Sequence, residues 1–400
     1  METKTRVGVT GCGLVCSIGG DSETSWRNLL DGRRGQREIR RFDTSRHRIH
    51  HACPVTDIPE PDYDPGHPLD DASKLLMGAA GEALGEKAGE FASAPAFVAT
   101  TLGGMDSGTR FYRSYLQGAG ADESGVLLKD YMPFMQSRHL MKKFRLEHMP
   151  LTVTNACSSG TNAIGLAYLA VKSGRADRAI AAGYDIVSEF VFSGFNALRL
   201  IAPDCCRPFD AGRQGLVLGE AAGVILLENM DSAERRGKKA TAEIAGYASG
   251  SEAYHVTKPH PEGEGAFAVM NSCLEKAGVR PEEVECVNAH GTGTLQNDVM
   301  EAKAISKLFG GSEGITATAN KSAVGHTLGA AGVVEAVFSI LSIRDGVVPP
   351  TVNTSEPLPE LESVELVRDE ARKARIQHVL SSSFGFGGTN ACVLFSETRS

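Results

Sequence analysis

The sequence predicts an α/β protein built in layers, and three observations carry that prediction. Short β-branched runs alternate with longer helical ones along the whole chain. The two helical runs richest in Ala and Gly lack a solvated face, which is the pattern of helices buried between layers. The strand-to-helix unit around Cys157 has a counterpart in NKSAVGHTLGAAGVVEAVFSILSIRDG, so the chain reads as a rough internal duplication.

In order, TRVGVTG (5–11) predicts a strand, and ETSWRNLLDG (23–32) an amphipathic helix ending at a glycine. KLLMGAAGEALGEKAG (74–89) predicts a helix and PAFVATT (95–101) a strand. LTVTNA (151–156) is a strand running straight into a helix over 157–176, followed by strands RAIAAGYD and AGVILLEN. In the second half TAEIAGYASG is a strand, AFAVMNSCLEKAG a helix, VECVNAHG a strand and 329–346 a helix, with HVLSSSFGF and NACVLF closing the chain as strands. The proline-rich, polar stretch from about 30 to 75 predicts loops that cap the first half, not a linker.

Composition removes several function classes. Lys plus Arg total 41 against 49 Asp plus Glu, a net charge of −8, which disfavours nucleic acid as a partner. The longest apolar stretches, such as VVEAVFSIL, fall short of the ~18–20 residues of a membrane span. METKTRVGV lacks a secretory pattern, so the expected location is the cytoplasm. The nine cysteines form no CxxC pair and predict reduced thiols. HRIHHAC, with His47, His50, His51 and Cys53, suits no tetrahedral spacing and reads as a polar loop, so no metal is expected. GCGLVCSIGG imitates a dinucleotide fingerprint but has Cys16 at the sixth position, so no cofactor is expected either.

Chemistry concentrates in three strand-to-loop turns. Cys157 follows a strand and opens a helix, where free N–H groups and the helix dipole favour a thiolate. Its small neighbours leave room for a substrate and for an oxyanion hole, although a buried core cysteine fits the position equally well. His290 in NAHGTGT and His326 in NKSAVGHTLGAAG occupy two further Gly-rich turns at strand ends, where α/β folds bind ligands. A thiol with imidazoles suits acyl transfer through a thioester, with neutral imidazoles stabilising a developing enolate. Phe384-Gly-Phe386-Gly-Gly388 is either a loop offering N–H groups and an aromatic gate or a tight bend before the last strand.

Together NACSSG, NAHGTGT, NKSAVGHTLGAAG and FGFGGTN resemble the β-ketoacyl-acyl-carrier-protein synthases, most nearly the elongating KAS II class of the thiolase superfamily. The resemblance runs from TRVGVTGCGLV through RRFDTS, CRPFDAGRQGLVLGEAAGVILLE and SEAYHVTKPHPEGEGA to the end. It implies a thiolase-like fold layered α-β-α-β-α, with pseudo-duplicated halves over 1–245 (with cap insertions) and 246–400. It implies Cys157 as acyl-accepting nucleophile, His290 and His326 as the pair assisting malonyl decarboxylation, and Lys321 as the lysine orienting them. Asp298 and Glu301 match acidic positions beside that network, with Glu301 the expected partner of Lys321. The backbones of Cys157 and Phe386 would form the oxyanion hole, and the Phe386 ring would gate the acyl pocket. Asn155 stands where the family has Thr, and an acidic tract from Asp62 to Asp71 replaces a more basic segment.

The resemblance further implies an acyl carrier protein as partner and a homodimer, with a heterodimer including a chain-length subunit left open. Carrier docking is expected at Lys74, Lys129 and Arg207, helped by Lys142, Lys143 and Arg145. The acyl pocket is expected near Leu102, Met105 and Phe134. A non-catalytic chain-length subunit would lack the cysteine. A degradative thiolase would need a second active-site cysteine, and Cys392 lies in an apparent strand without the glycine-rich setting for it.

Overall fold

A computed structural model of the chain describes residues 5–118 and 125–398. Among these residues the main sheet holds eleven strands: β1 (Val7–Cys16), β2 (Ala96–Ala99), β3 (Leu151–Val153), β4 (Arg178–Asp185), β5 (Ala221–Asn229), β6 (Ala242–Ser251), β7 (Cys286–Asn288), β8 (Thr316–Thr318), β9 (Glu365–Leu366), β10 (His378–Gly385) and β11 (Thr389–Ser396). Their spatial order is β9-β8-β7-β10-β11-β6-β1-β5-β4-β2-β3. Outward from β1 the pairings run antiparallel, antiparallel, parallel, parallel, and outward from β6 the same series repeats. Two residue pairs, Gly8 with Glu243 and Val9 with Ala242, join the two runs edge to edge.

The helices explain why the strands are apolar on both faces. Those that frame the site are α1 (Ser22–Leu30), α2 (Asp71–Leu84), α3 (Phe134–Phe144), α4 (Ser159–Lys172), α5 (Glu189–Ala197), α6 (Glu264–Ala277), α7 (Leu295–Phe309) and α8 (Ala331–Asp345). Helix α2 covers the outside of β1 and β5, α6 covers β6 and β11, and α7 packs on α6. Between the two strand runs lie α4 and α8, each touching both, which completes the α-β-α-β-α layering. Every residue of α8 from Ala331 to Ile343 is buried, so its sequence needs no polar stripe. Strand β4 is buried from Ala179 to Asp185 and reads as a continuous apolar run for the same reason.

Local departures from the sequence reading have local causes. The helix expected over 74–89 begins at Asp71, where Asp70 caps the Ser73 N–H at 2.9 Å. Its α-helical part ends at Leu84 because Gly85 turns to φ 43° and a 3-10 segment follows to Phe91. The 30–75 stretch is mostly loop, with a two-residue ladder pairing Arg37–Glu38 with His51–Ala52. It is anchored by Ile39, Ile49 and Ala52, which pack with Phe192 and Leu218. No helix among the described residues is long and apolar enough to cross a membrane.

Candidate active site

Cys157 sits on a sharp strand-to-helix turn. Ala156 before it takes φ 55°, a left-handed conformation that a residue with a Cβ adopts only when its surroundings enforce it. Those surroundings are Ser159, whose hydroxyl donates to the Ala156 carbonyl at 2.6 Å and accepts the Asn155 N–H at 2.8 Å. Thr389, just beyond the glycine loop, donates to the Asn155 carbonyl at 3.2 Å and ties that loop to the turn. A Cβ on Gly385 would come within 3.2 Å of the Cys157 nitrogen, and the Phe386 N–H is aimed at the Cys157 sulfur. The helix end was expected to favour thiolate. Burial instead dominates and pushes the thiol up to about 11, against the pull of Lys321 and the Phe386 N–H.

The two histidines face each other, with ring centroids 5.3 Å apart at 88°. Helix α7 holds the His290 turn by its backbone: Glu301 accepts the N–H groups of His290 and Gly291 at 2.7 and 2.8 Å. Asp298 accepts those of Phe209 at 2.7 Å, Thr292 at 3.2 Å and Gly293 at 3.1 Å. Burial raises both carboxyls, Glu301 to about 7. His326 is fixed between Val217, whose carbonyl accepts its N–H at 2.6 Å, and Leu328, whose N–H donates to its Nδ1 at 3.1 Å.

Lys321 lies behind His290, donating to its carbonyl at 2.6 Å and facing its Nδ1 at 3.1 Å. Its ion-pair partner is Glu335 on α8, not the expected Glu301. Both carboxylates are buried, but Glu301 is spent on backbone N–H groups and the Ser382 hydroxyl. An ammonium can only donate, so His290 Nδ1 is an acceptor; His326 Nδ1 is one already. Both rings are held far below the ordinary imidazole pKa, first by burial and then by Lys321. Each is therefore a neutral imidazole with its proton on Nε2, free for the cavity.

Cys157, His290, His326 and Phe386 line one cavity of about 330 Å³. The Phe386 ring stacks on Phe195 of α5, with centroids 6.1 Å apart, and Gly387 and Gly388 behind it take φ 81° and 73°. Phe195, Leu198, Leu200 and Leu216 supply the apolar wall. Sequence reasoning missed them, although the apolar spacing of EFVFSGFNALRL was a usable signal. Leu102, Met105 and Phe134 are absent from this lining. Leu102 points into a cluster with Val191 and Phe192, Met105 lines a separate surface hollow, and Phe134 is exposed at the start of α3.

The expected docking residues are scattered. Arg207 does not line the cavity; it lies behind Gly293, between the lining residues Thr292 and Thr294, where a Gly293 Cβ would come within 3.2 Å of the Arg207 nitrogen, and it pairs with Asp204. Lys74 is on the outer helix α2, paired with Glu60 at 2.8 Å. Lys129 is exposed at the end of the 3-10 segment Gly125–Lys129, while Lys142 and Lys143 close α3, with Arg145 at its C-cap. Arg199 and Lys258, both exposed, line the cavity itself. All nine cysteines are free thiols, and His47 and His50 bond separately to Ser193 and Thr44.

The model of the beta-ketoacyl synthase N-terminal domain matches residues 4–233, and that of the beta-ketoacyl synthase C-terminal domain matches residues 241–355. The chain is 35% identical to the 3-oxoacyl-[acyl-carrier-protein] synthase 2 of Coxiella burnetii over 414 residues, covering 98% of this chain and 99% of the relative. It is 33% identical over 412 residues to the same-named protein of Staphylococcus aureus, covering 99% of each. Among solved structures, the ishigamide ketosynthase/chain length factor superimposes with a TM-score of 0.89 at 32% identity, covering 99% of this chain and 100% of that one.

Proposed function

Because this chain belongs to the beta-ketoacyl synthase family, we propose that it is a β-ketoacyl-acyl-carrier-protein synthase, joining an acyl thioester to malonyl carrier protein with loss of CO₂. The observation that carries the mechanism is the pair of neutral imidazoles, both with Nε2–H free, beside the Cys157 thiol.

In the first half-reaction the Cys157 sulfur attacks the acyl thioester carbonyl, and the thiol proton leaves with the departing carrier thiol. The tetrahedral oxyanion is received by the N–H groups of Cys157 and Phe386. In the second, the bond between the malonyl α-carbon and its carboxylate breaks, CO₂ departs, and the electron pair forms an enolate whose oxygen takes both Nε2–H donors. The enolate carbon then attacks the acyl-Cys157 carbonyl; the C–S bond breaks, the departing thiolate takes a proton from solvent, and a β-ketoacyl thioester remains. Lys321 keeps the His290 proton on Nε2 in both steps, and its ion pair with Glu335 holds it behind that ring. The Phe386 ring, hinged on Gly387 and Gly388, admits the acyl chain. The half over 1–245 brings Cys157 and the half over 246–400 brings the histidines.

Rapid-quench measurement of the two half-reactions tests this assignment. His290→Ala and His326→Ala should slow malonyl decarboxylation by about 10²–10³ and acyl transfer much less. Equal losses in both steps would remove the enolate role.

The carrier protein is the macromolecular partner, met in the cytoplasm, and the working unit is a dimer. The likeness to a ketosynthase/chain length factor structure favours a second reading of that unit, in which the other subunit is a chain-length partner. Mass measurement of the assembly purified from its native host separates a homodimer from a heterodimer.

A further inference from the structure

Among the described residues, one group of three metal-ligating side chains lies outside the cavity: His67, Asp130 and His139. We propose that these three residues form a binding site for a divalent cation of the zinc class, independent of the condensation chemistry.

The donors converge from three separate segments. His67 is on the cap loop before α2, Asp130 follows the 3-10 segment Gly125–Lys129, and His139 is on α3. His139 Nε2 lies 2.7 Å from Asp130 Oδ1, and His67 Nε2 lies 3.1 and 3.2 Å from Oδ1 and Oδ2. Ligands at 2.0–2.1 Å around a tetrahedral zinc stand about 3.3 Å apart, so His67 already sits near that spacing from the carboxylate, His139 would have to open by about 0.6 Å, and all three donor atoms lie within 4.8 Å of one another. Two imidazoles and one carboxylate form a nitrogen–oxygen set that suits zinc with water as a fourth ligand.

Asp130 and His139 are almost wholly buried, and the His67 side chain nearly so. Their orientation is enforced from outside the triad. The Asp70 N–H donates to Asp130 Oδ2 at 3.4 Å, and Gln136 donates to the Asp130 carbonyl at 2.6 Å. Tyr63 Oη is 3.5 Å from His139 Nδ1 and its ring packs edge-on against that imidazole. Without metal, both Nε2–H groups donate to the carboxylate. With metal, each Nε2 gives its lone pair to the ion and the proton moves to Nδ1, where for His139 the Tyr63 oxygen can accept it. The ion would fasten the cap loop to α3 on the first half of the fold.

Full-length protein stripped with a chelator and titrated with Co²⁺ and then Zn²⁺ tests the site. The expected result is one equivalent of Co²⁺ with d–d absorption and no thiolate charge-transfer band, displaced by Zn²⁺, with a Tm that rises on Zn²⁺ addition. His67→Gln and His139→Gln should each weaken binding at least tenfold and abolish the Tm rise. His67 is on a loop, so His67→Gln keeps the test valid if the buried His139→Gln fails to fold. Absence of d–d absorption, thiolate bands, or His67→Gln binding as tightly as wild type would each overturn the proposal; the three residues would then be a hydrogen-bonded cluster only.

Discussion

Gly160 and Gly332 meet backbone to backbone where α4 and α8 begin. A Cβ on Gly160 would lie 3.0 Å from the Gly332 nitrogen and 2.8 Å from that of Val333, and one on Gly332 would lie 2.4 Å from the Thr161 nitrogen. Cys157 precedes one of these helices and His326 the other, so this crossing sets the distance between thiol and imidazole. Gly332→Ala should destabilise by about 1–3 kcal/mol through overpacking, and condensation should fall at least tenfold in the folded fraction. Gly81→Ala, on the open face of α2 with nothing within 4 Å, should instead be neutral or stabilise by about 0.4–1 kcal/mol. Denaturant unfolding of both variants checks the contrast.

Glu335 and Glu301 are both buried carboxylates near Lys321, yet only Glu335 pairs with it. Glu335→Gln leaves a buried ammonium without its counter-charge and should cost about 3–5 kcal/mol. Glu301→Gln keeps an acceptor for one backbone N–H and should cost about 1–3 kcal/mol. Urea midpoints in the reverse order would contradict the pairing.

Acidification should separate the histidines from the carboxyls. The folded pKa of His326 lies far below its unfolded value of about 6.5, so below that pH the unfolded chain binds a proton the folded one refuses. His326 therefore lowers stability as pH falls through 6.5. Glu301 and Glu335, raised to about 7, act in the opposite sense between about 4.5 and 7 and mask it in the wild type. The stability of His326→Asn relative to wild type should thus rise as pH drops below 6.5, by up to about 1.4 kcal/mol per pH unit. A pH-independent difference between pH 7 and 5 would show that His326 protonates normally in the fold.

The Phe386 ring has a resting contact in Phe195 and a glycine hinge behind it. Crystal structures of the free and acylated enzyme should show that ring in two positions. Gly387→Ala, strained at φ 81°, should slow acylation by long chains more than by acetyl. The same loop, equally ordered in both states, would contradict gating.

Much of the layered fold was legible because its strands and central helices are apolar throughout and are separated by glycine turns. The convergence of Cys157, His290 and His326 on one cavity was legible for the same reason: each sits in a Gly-rich turn at a strand end. The Lys321 partner was misread because Glu301 is close to the histidine motif in sequence, whereas Glu335 is the one acid in the otherwise uncharged, buried run Ala331–Ile343. A carboxylate in such a helix must find a buried cation, and that signal was available. The pocket wall was not legible, since whether Leu102 or Leu216 faces the cavity depends on side-chain direction. His67, Asp130 and His139 could not be grouped from sequence, being separated by 63 and 9 residues.

The central claim is that the acyl chain passes through Cys157, and intact-mass analysis after incubation with an acyl carrier thioester tests it most directly. Wild-type protein should gain one acyl group, mapped by proteolysis to the Cys157 peptide. Cys157→Ala, a small-for-small change on the same turn, should keep its fold, gain no acyl group and lose condensation by several orders of magnitude. An acyl group on another residue, or near-normal condensation by Cys157→Ala, would contradict the account.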